Sequence, residues 1–336
     1  MVMKMNGNKN SVIQIKTTDL EKHNIGKVDY FMSFCGFQKR CLSVPSHFPT
    51  EDINKAIVFM NEEPAFESLQ NRKKLESLLG DRLVIRPVKL FDPLSIADAF
   101  IEELKIIREA TKNPPHILLD ITSFTHESLL ILFALIKQFL PDANVDCIYT
   151  CASSYASECD NNSEKWLSRG IREVRSVLGY AGAIQPSQDT VLIVMAGYEY
   201  ERAWHLIDDI SPEELIITYN DDCGSTDQTN GAANSEYAKL LHDLAAYYQN
   251  PKQYVIPSNN PFDTAKKLKQ IVDTISNNMN IIVAPMNNKL ATIGAALVAI
   301  EYPRIQLCYA PAVYYNTANY SIEGDSCYLF SINDNE

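Results

Sequence analysis

Two short turns in this sequence combine residue types that bind negatively charged groups. The first has the sequence TSFTH at positions 122–126 and lies between an apolar run and an apolar helical pattern. The second has the sequence MNNK at positions 286–289 and lies at the same kind of junction. Hydroxyl groups and the unpaired N–H groups of a helix N-terminus attract anions such as phosphate. We therefore predict a two-part anion site that contains Thr122, Ser123, Thr125, His126, Asn287, Asn288 and Lys289.

The residues of these turns also have structural explanations. Thr125, with Glu127 close behind it, fits a helix cap, which is compatible with ligand binding. His126 also fits a solvent-facing or satisfied histidine. Asp120 ends an apolar strand, where a carboxylate is either capped by backbone donors or functional. The position of Lys289 indicates that it binds a ligand, because a cation at a helix N-terminus is unfavourable unless an anion compensates it.

Two further strand ends carry a glycine, an aromatic residue and an arginine. The segment CGFQKRC contains Gly36 and Arg40, and the segment AGYEYERA contains Gly197 and Arg202. A guanidinium group binds phosphate or carboxylate with two parallel hydrogen bonds, so we include these four residues in the predicted ligand site. The competing explanation is a structural pair with a neighbouring acid such as Glu201 or Glu199.

Strand-like apolar runs alternate with amphipathic helical patterns, which is typical of βαβ units and a parallel sheet. In the first half the predicted strands are 28–34, 56–60, 83–88, 117–120 and 145–150, with helices at 66–79, 94–110 and 127–139. In the second half the predicted strands are 190–196, 214–219, 253–256, 280–284 and 305–309, with helices at 200–208, 235–248, 264–276 and 291–300.

The two halves match each other in order and spacing, which indicates an internal duplication. Gly36 and Gly197 are 161 positions apart (197 − 36), and His126 and Lys289 are 163 apart (289 − 126). The segments VIRPVKLFDP and VIPSNNPFDT align residue 92 with residue 263, an offset of 171 (263 − 92). We predict an α/β fold with two tandem Rossmann-like units and mainly parallel sheets. The predicted segments are an N-terminal extension at 1–26, a first unit at 27–155, a helical connector at 156–189 and a second unit at 190–336.

Composition excludes several classes of function. The net charge of −12 argues against binding to long nucleic acids, which needs a basic surface. No run of 18 uncharged apolar residues or secretion signal is present, so we expect a cytoplasmic protein without a membrane partner. The eight cysteines are dispersed without a Cys-x-x-Cys pair, which predicts free thiols in a reducing compartment. The histidines are isolated and no P-loop or GxGxxG motif is present, so we predict no metal and no cofactor.

The strand followed by TSFTH resembles the Thr-Gly-Gly-Thr-Lys turn of CARF domains, the Rossmann-like sensors associated with CRISPR systems. The segment PMNNK at positions 285–289 resembles a second copy. Both motif glycines are replaced, by Ser123 and Phe124 in the first copy and by Met286 and Asn287 in the second. Two such units in one chain are similar to SAVED sensors of anti-phage systems, which pair two CARF-like halves around a cyclic oligonucleotide.

This resemblance implies a regulatory sensor in antiviral defence. Its ligand would be a small anion, either a cyclic oligonucleotide or another nucleotide, and its signal would pass to a separate effector protein. One alternative is a metal-independent phosphodiesterase of the ring-nuclease type, with His126 as general acid or base and Lys289 stabilising the developing negative charge. Another is a non-catalytic interaction scaffold.

Overall fold

The computed structural model describes residues 11–23, 25–156, 166–221, 223, 225–226, 228–246 and 250–332. The chain divides into two compact units, one formed by residues 1–160 with 317–336 and one formed by residues 161–316. Each unit is built around its own large sheet, and most of the strand pairs in these sheets are parallel. The predicted fold class of two Rossmann-like α/β units is therefore confirmed.

The elements have the following bounds. The helices are α1 Ser43–His47, α2 Phe66–Leu79, α3 Pro93–Ala110, α4 His126–Phe139, α5 Tyr200–Ile210, α6 Gln228–Ala246, α7 Pro261–Val272 and α8 Lys289–Glu301. The strands are β1 Val12–Lys16, β2 Val28–Cys35, β3 Ile53–Asn61, β4 Leu83–Val88, β5 His116–Asp120, β6 Asn144–Tyr155, β7 Ser168–Ile171, β8 Arg175–Ala181, β9 Thr190–Met195, β10 Glu214–Tyr219, β11 Lys252–Val255, β12 Asn280–Pro285, β13 Ile305–Tyr309, β14 Ala312–Tyr315 and β15 Ser321–Ser331.

The two sheets share one strand order. The first is β1-β15-β6-β5-β2-β3-β4 and the second is β11-β10-β9-β12-β13-β8. If the five parallel strands of each unit are counted along the chain, both orders are 3-2-1-4-5, followed by an antiparallel strand beside the fifth. The central strands are buried on both faces, as expected for parallel strands that connect through helices. The internal duplication predicted from local matches thus extends to the topology.

The antiparallel strand beside each fifth strand comes from an unexpected part of the chain. β15 pairs with β6 of the first unit, although it follows β13 of the second unit in sequence. β8 pairs with β13, although it follows β6 in sequence. Each of the two large sheets is therefore completed by the second strand after the fifth strand of the other unit.

The prediction of a helical connector at 156–189 is wrong for the described part of this segment. Its residues 166–181 contain strands β7 and β8, and residues 157–165 lie outside the described part of the chain. The helical prediction failed because the buried side chains of β8, Val177 and Tyr180, are three positions apart. Gly179 between them has φ +90°, and the β8 to β13 register shifts at this point. An irregularity in the strand thus imitated helical spacing.

Two further boundaries differ from the prediction. The last strand, β15, belongs to the first unit, so this unit does not end at residue 155 and the second does not extend to 336. The segment predicted as an N-terminal extension supplies β1, which pairs antiparallel with β15. Local patterns cannot reveal either assignment, because both partners of β15, β1 and β6, lie far before it in the sequence.

The cap residues of α3 and α7 show that the predicted match between residues 92 and 263 is wrong. The side chain of Asp92 accepts hydrogen bonds from the first turn of α3, and proline follows at the first helical position. In the second unit Asn260 caps α7 in the same way and is also followed by proline. Asp92 therefore corresponds to Asn260 and not to Asp263, which lies within α7. The corrected offset of 168 (260 − 92) is closer to the other two.

No helix in the described part of the chain is both long and apolar enough to cross a membrane. Seven of the cysteines lie in the described residues, and none of them forms a disulfide.

Candidate functional site

The predicted residues lie where the strand order of each sheet reverses. This switch point falls between β2 and β5 in the first unit and between β9 and β12 in the second. Gly36 and Gly197 follow β2 and β9, and the two predicted turns follow β5 and β12. In open parallel sheets, ligands bind outside the carboxyl ends of the strands at this point. Each unit therefore brings its predicted glycine and its predicted turn to the same place.

The turn of the first unit is anchored by one polar and one apolar side chain. Oγ1 of Thr122 accepts a hydrogen bond of 3.0 Å from the backbone N–H of Thr150 on β6. Phe124 is buried in an aromatic cluster, with ring centroids 5.6 Å from Phe34 and 6.3 Å from Phe100. A side chain that fills the core thus occupies the middle of the TSFTH turn.

α4 begins directly after this turn. Thr125 is its cap, and Oγ1 of Thr125 accepts a hydrogen bond of 3.0 Å from the N–H of Ser128. His126 is the first residue of the helix and is half-buried. The capping explanation for Thr125 is confirmed, and His126 lies at the helix N-terminus as predicted.

Buried polar groups lie beneath the turn. Asp120 is 1% exposed, and one of its carboxylate oxygens accepts the N–H of Thr122 at 3.0 Å. Burial raises the pKa of Asp120 to about 6, although the hydrogen bond from Thr122 and the charge of Arg40 act in the opposite direction. Three nearby atoms, Oδ2 of Asp120, Oγ of Ser123 and Oγ1 of Thr150, have no hydrogen-bond partner among the described residues.

Both predicted arginines are held by the protein. Arg40 is 4% exposed, and its guanidinium donates to the carbonyl of Thr150 at 3.0 Å and to the side-chain oxygen of Gln38 at 3.1 Å. Arg202 is 6% exposed and pairs with Glu199 at 2.6 Å. The ion pair of Arg202 with Glu199 matches the structural explanation considered in the sequence analysis. Arg40 is likewise held in place by its hydrogen bonds to Gln38 and Thr150.

The turn of the second unit is anchored by hydrogen bonds. The amide of Asn287 donates to the carbonyl of Ala196 at 2.6 Å and to the side chain of Asn220 at 2.8 Å. Asn234 donates to the same carbonyl at 2.8 Å and accepts the N–H of Asn220 at 2.9 Å. The predicted ligand site contained neither Asn220 nor Asn234. A signal existed for Asn220, which directly follows β10, but Asn234 lies within α6 and has no local signal.

α8 begins directly after this second turn. Asn288 is its cap and accepts the N–H of Ala291 at 2.9 Å, while its amide donates to the carbonyl of Ser258 at 2.9 Å. Lys289 is the first residue of the helix and is half-buried. Lys289 therefore occupies the position that His126 has in the first unit, as the repeat predicted.

The glycines face equivalent positions of the two turns at different distances. A Cβ atom placed on Gly36 would lie 3.8 Å from the carbonyl oxygen of Ser123, which is an ordinary contact. A Cβ on Gly197 would lie only 2.2 Å from the carbonyl oxygen of Met286. By the 163-residue offset, Ser123 and Met286 are the same position of the repeat. Of these two glycines, only Gly197 is required by a close backbone approach.

The two helix N-termini differ in charge. The first turn of α4 contains the buried carboxylate of Glu127, and Asp120 lies just before the turn. The first turn of α8 contains no acidic residue and begins with Lys289, and the buried residue that corresponds to Asp120 is Val283. The N-terminus of α8 is therefore the more favourable of the two for an anion.

A cleft of about 690 Å³ lies within the first unit. Its walls come from the residues after β2, the first half of α2 and the segment 317–323, and we call it the Phe37 cleft. The sequence prediction missed it because these three segments are distant from one another along the chain. Among the described residues, no group of three or more His, Cys, Asp or Glu side chains is placed to hold a metal ion.

Comparisons with known proteins assign no family. No protein-family model matches the sequence, and no curated protein matches it. The pyocyanin biosynthetic protein PhzM is similar over 44% of this chain and 39% of its own, at 14% identity and a TM-score of 0.24. The riboflavin-derivative dimethyltransferase RosA from Streptomyces davawensis is similar over 38% of this chain and 33% of its own, at 15% identity and a TM-score of 0.23.

One further solved structure is similar over more of the chain. The cytoplasmic domain of a prokaryotic cation chloride cotransporter matches over 87% of this chain and 99% of its own, at 11% identity and a TM-score of 0.25. Similarities this low do not bear on function.

Proposed function

We propose that the protein is a nucleotide-binding regulatory sensor of the CARF and SAVED kind, which binds a cyclic oligonucleotide and signals to a separate effector protein. The observation that carries this proposal is the duplicated switch point. In both units a glycine turn after the first strand lies beside a capped helix N-terminus after the fourth. Two topologically equivalent helix N-termini in one chain suit a ligand that is itself built from repeated units, such as a cyclic oligonucleotide.

The charges around the two turns suit different ligand groups. Lys289 stands at the start of a helix that has no acidic residue in its first turn. This position suits a phosphate group, because the helix dipole and the lysine both stabilise a negative charge. The turn of the first unit has buried carboxyl groups around it and suits ligand groups that donate hydrogen bonds, such as ribose hydroxyls.

Isothermal titration calorimetry against a panel of cyclic di-, tri- and tetranucleotides tests the proposal. We expect at least one of them to bind, and we expect Lys289→Ala to weaken it about tenfold or more, as loss of a charge-assisted hydrogen bond does. The matched control is Lys266→Ala, which removes an exposed lysine from α7 of the same unit and is expected to leave affinity unchanged. Absence of heat from the whole panel, or equal binding by the two lysine variants, would contradict the proposal.

The same samples separate sensing from turnover. Incubation of a bound cyclic oligonucleotide with the protein in EDTA is expected to leave the ligand intact. Cleavage that His126→Ala abolishes would instead assign the phosphodiesterase alternative. The matched control is His205→Ala, at an exposed position of α5.

A further inference from the structure

The Phe37 cleft adjoins the switch point of the first unit through a shared loop. The buried side chain of Asn71, from α2, donates to the backbone carbonyls of Gly36 at 2.9 Å and of Phe37 and Gln38 at 3.3 Å each. The same loop supplies Gly36 to the switch point and Phe37 and Gln38 to the wall of the cleft. A ligand in the cleft therefore contacts a loop that also borders the candidate site.

The cleft has an aromatic lining. Phe37 and Tyr320 pack edge to face, with ring centroids 5.5 Å apart. Phe66 opens α2 at the rim and is 70% exposed, and Ile322 on the rim is 66% exposed. Large apolar side chains left in water around a concave surface are a common feature of ligand sites. A volume of about 690 Å³ lies within the range of small-molecule sites.

Two cations accompany these rings. Lys39 and Lys74 line the cleft, are exposed, and have no ion-pair partner among the described residues. Glu67 and Glu323 also line the cleft. One carboxylate oxygen of Glu323 accepts a hydrogen bond from Ser43, so Glu67 and the other oxygen of Glu323 supply the acceptors for ligand hydroxyl or amino groups. Aromatic faces, unpaired cations and a few acceptors match the three parts of a nucleotide, namely base, phosphate and sugar.

We propose that the Phe37 cleft binds one nucleotide unit, with the base against Phe37 and Phe66 and the phosphate facing Lys39 and Lys74. This inference rests on the proposed function only in taking the ligand to be a nucleotide. It adds a binding surface that lies beside the switch point and belongs to the first unit alone. Stacking tolerates any base, so the cleft supplies affinity more than base specificity.

Saturation-transfer NMR on the full chain, with 5′-AMP and adenosine as probes, tests this inference. Phe66→Ala is expected to weaken both probes about fivefold or more, because both contain the base that stacks. The double variant Lys39→Ala/Lys74→Ala is expected to weaken AMP about fivefold or more, because it removes charge-assisted contacts to phosphate, and to leave adenosine unchanged. The controls are Leu94→Ala, an exposed apolar residue on α3, and Lys73→Ala, an exposed lysine of α2 that does not line the cleft. Neither control should change the affinity for either probe.

The outcomes separate this inference from the proposed function. Absence of AMP binding at millimolar concentration, or AMP binding that neither cleft variant weakens, would contradict the proposal that the Phe37 cleft binds a nucleotide. A cyclic oligonucleotide that binds wild type and the cleft variants equally would also overturn it while leaving the sensor proposal intact. If AMP binding depends on Phe66 and the two lysines but the protein binds no cyclic oligonucleotide, the nucleotide site in the Phe37 cleft is supported and the sensor proposal is rejected.

Discussion

The turns after β5 and β12 have the same place in the fold but are held by opposite kinds of interaction. By the 163-residue offset, Phe124 and Asn287 are the same position of the repeat. Phe124 is buried among other phenylalanine rings, whereas Asn287 donates hydrogen bonds to Ala196 and Asn220. The two units thus share the path of the backbone but not the side-chain interactions that hold it. This difference explains why the two turns have similar structures but little sequence similarity.

The largest difference between the two turns should follow from truncating this position. Phe124→Ala is expected to lower the free energy of unfolding by about 3–5 kcal/mol, because it leaves a cavity in the aromatic cluster. Asn287→Ala should cost only about 1–3 kcal/mol, since Asn234 still donates to the carbonyl of Ala196. Equilibrium urea unfolding measures both losses, and hydrogen exchange shows which unit is affected. Equal losses would mean that the two anchors are energetically equivalent.

The glycines provide a matched pair. Gly197→Ala should lower the free energy of unfolding by about 1–3 kcal/mol, because its Cβ has no room beside the carbonyl of Met286. Gly36→Ala should be nearly neutral, since its Cβ meets Ser123 at ordinary contact distances. Thermal unfolding of the two variants side by side is sufficient. A destabilised Gly36→Ala with an unaffected Gly197→Ala would contradict the difference in backbone approach.

Asp120 distinguishes the first unit by its response to pH. Below its ordinary value of 3.8 the carboxyl is protonated in the folded and unfolded states alike. As pH rises towards the folded-state pKa of about 6, the unfolded chain releases this proton first, so folding stability falls across that window. Asp120→Asn should remove a decrease on the order of 2 kcal/mol between pH 4 and pH 7.

Urea unfolding at several pH values measures this effect. Asp98→Asn, at an exposed position of α3, serves as the control and should keep the wild-type profile. A wild-type profile in Asp120→Asn would show that the buried carboxyl does not titrate in this range.

The smallest expected difference concerns the helix caps. Thr125→Ala removes a cap from α4 and should cost about 1 kcal/mol. Asn288→Ala removes a cap from α8 together with the hydrogen bond to Ser258, so it should cost about 1–2 kcal/mol. Chemical unfolding of both variants tests the order. A larger loss in Thr125→Ala would indicate that the bond between Asn288 and Ser258 contributes little.

Most of the regular elements could be predicted from the sequence, because apolar periodicity and cap residues are local signals. Phe66–Leu79 and Glu214–Tyr219 have the predicted bounds. The strands completing each sheet could not be assigned, since their partners depend on chain segments far away. β8 was misread because its glycine irregularity changes the spacing of buried residues from two to three.

The candidate site could be predicted in position but not in detail. His126 and Lys289 begin equivalent helices, as predicted. Their positions could be predicted because a polar turn between a buried strand and a buried helix is visible in the sequence. The tight contact of Gly197, the network through Asn234 and the Phe37 cleft depend on tertiary approach. No local pattern distinguishes Gly197 from Gly36, although only one of them has no room for a methyl group.

The origin of β15 constrains how the chain is synthesised and dissected. β6 ends at Tyr155, but β15, which pairs with it, begins only at Ser321. During translation β6 therefore remains an unpaired edge of the first sheet until residues 321–331 have left the ribosome. An expression fragment cut near residue 160 would expose that border permanently, and unpaired strand borders invite aggregation. A soluble version of the first unit would need β15 grafted onto it through a new linker.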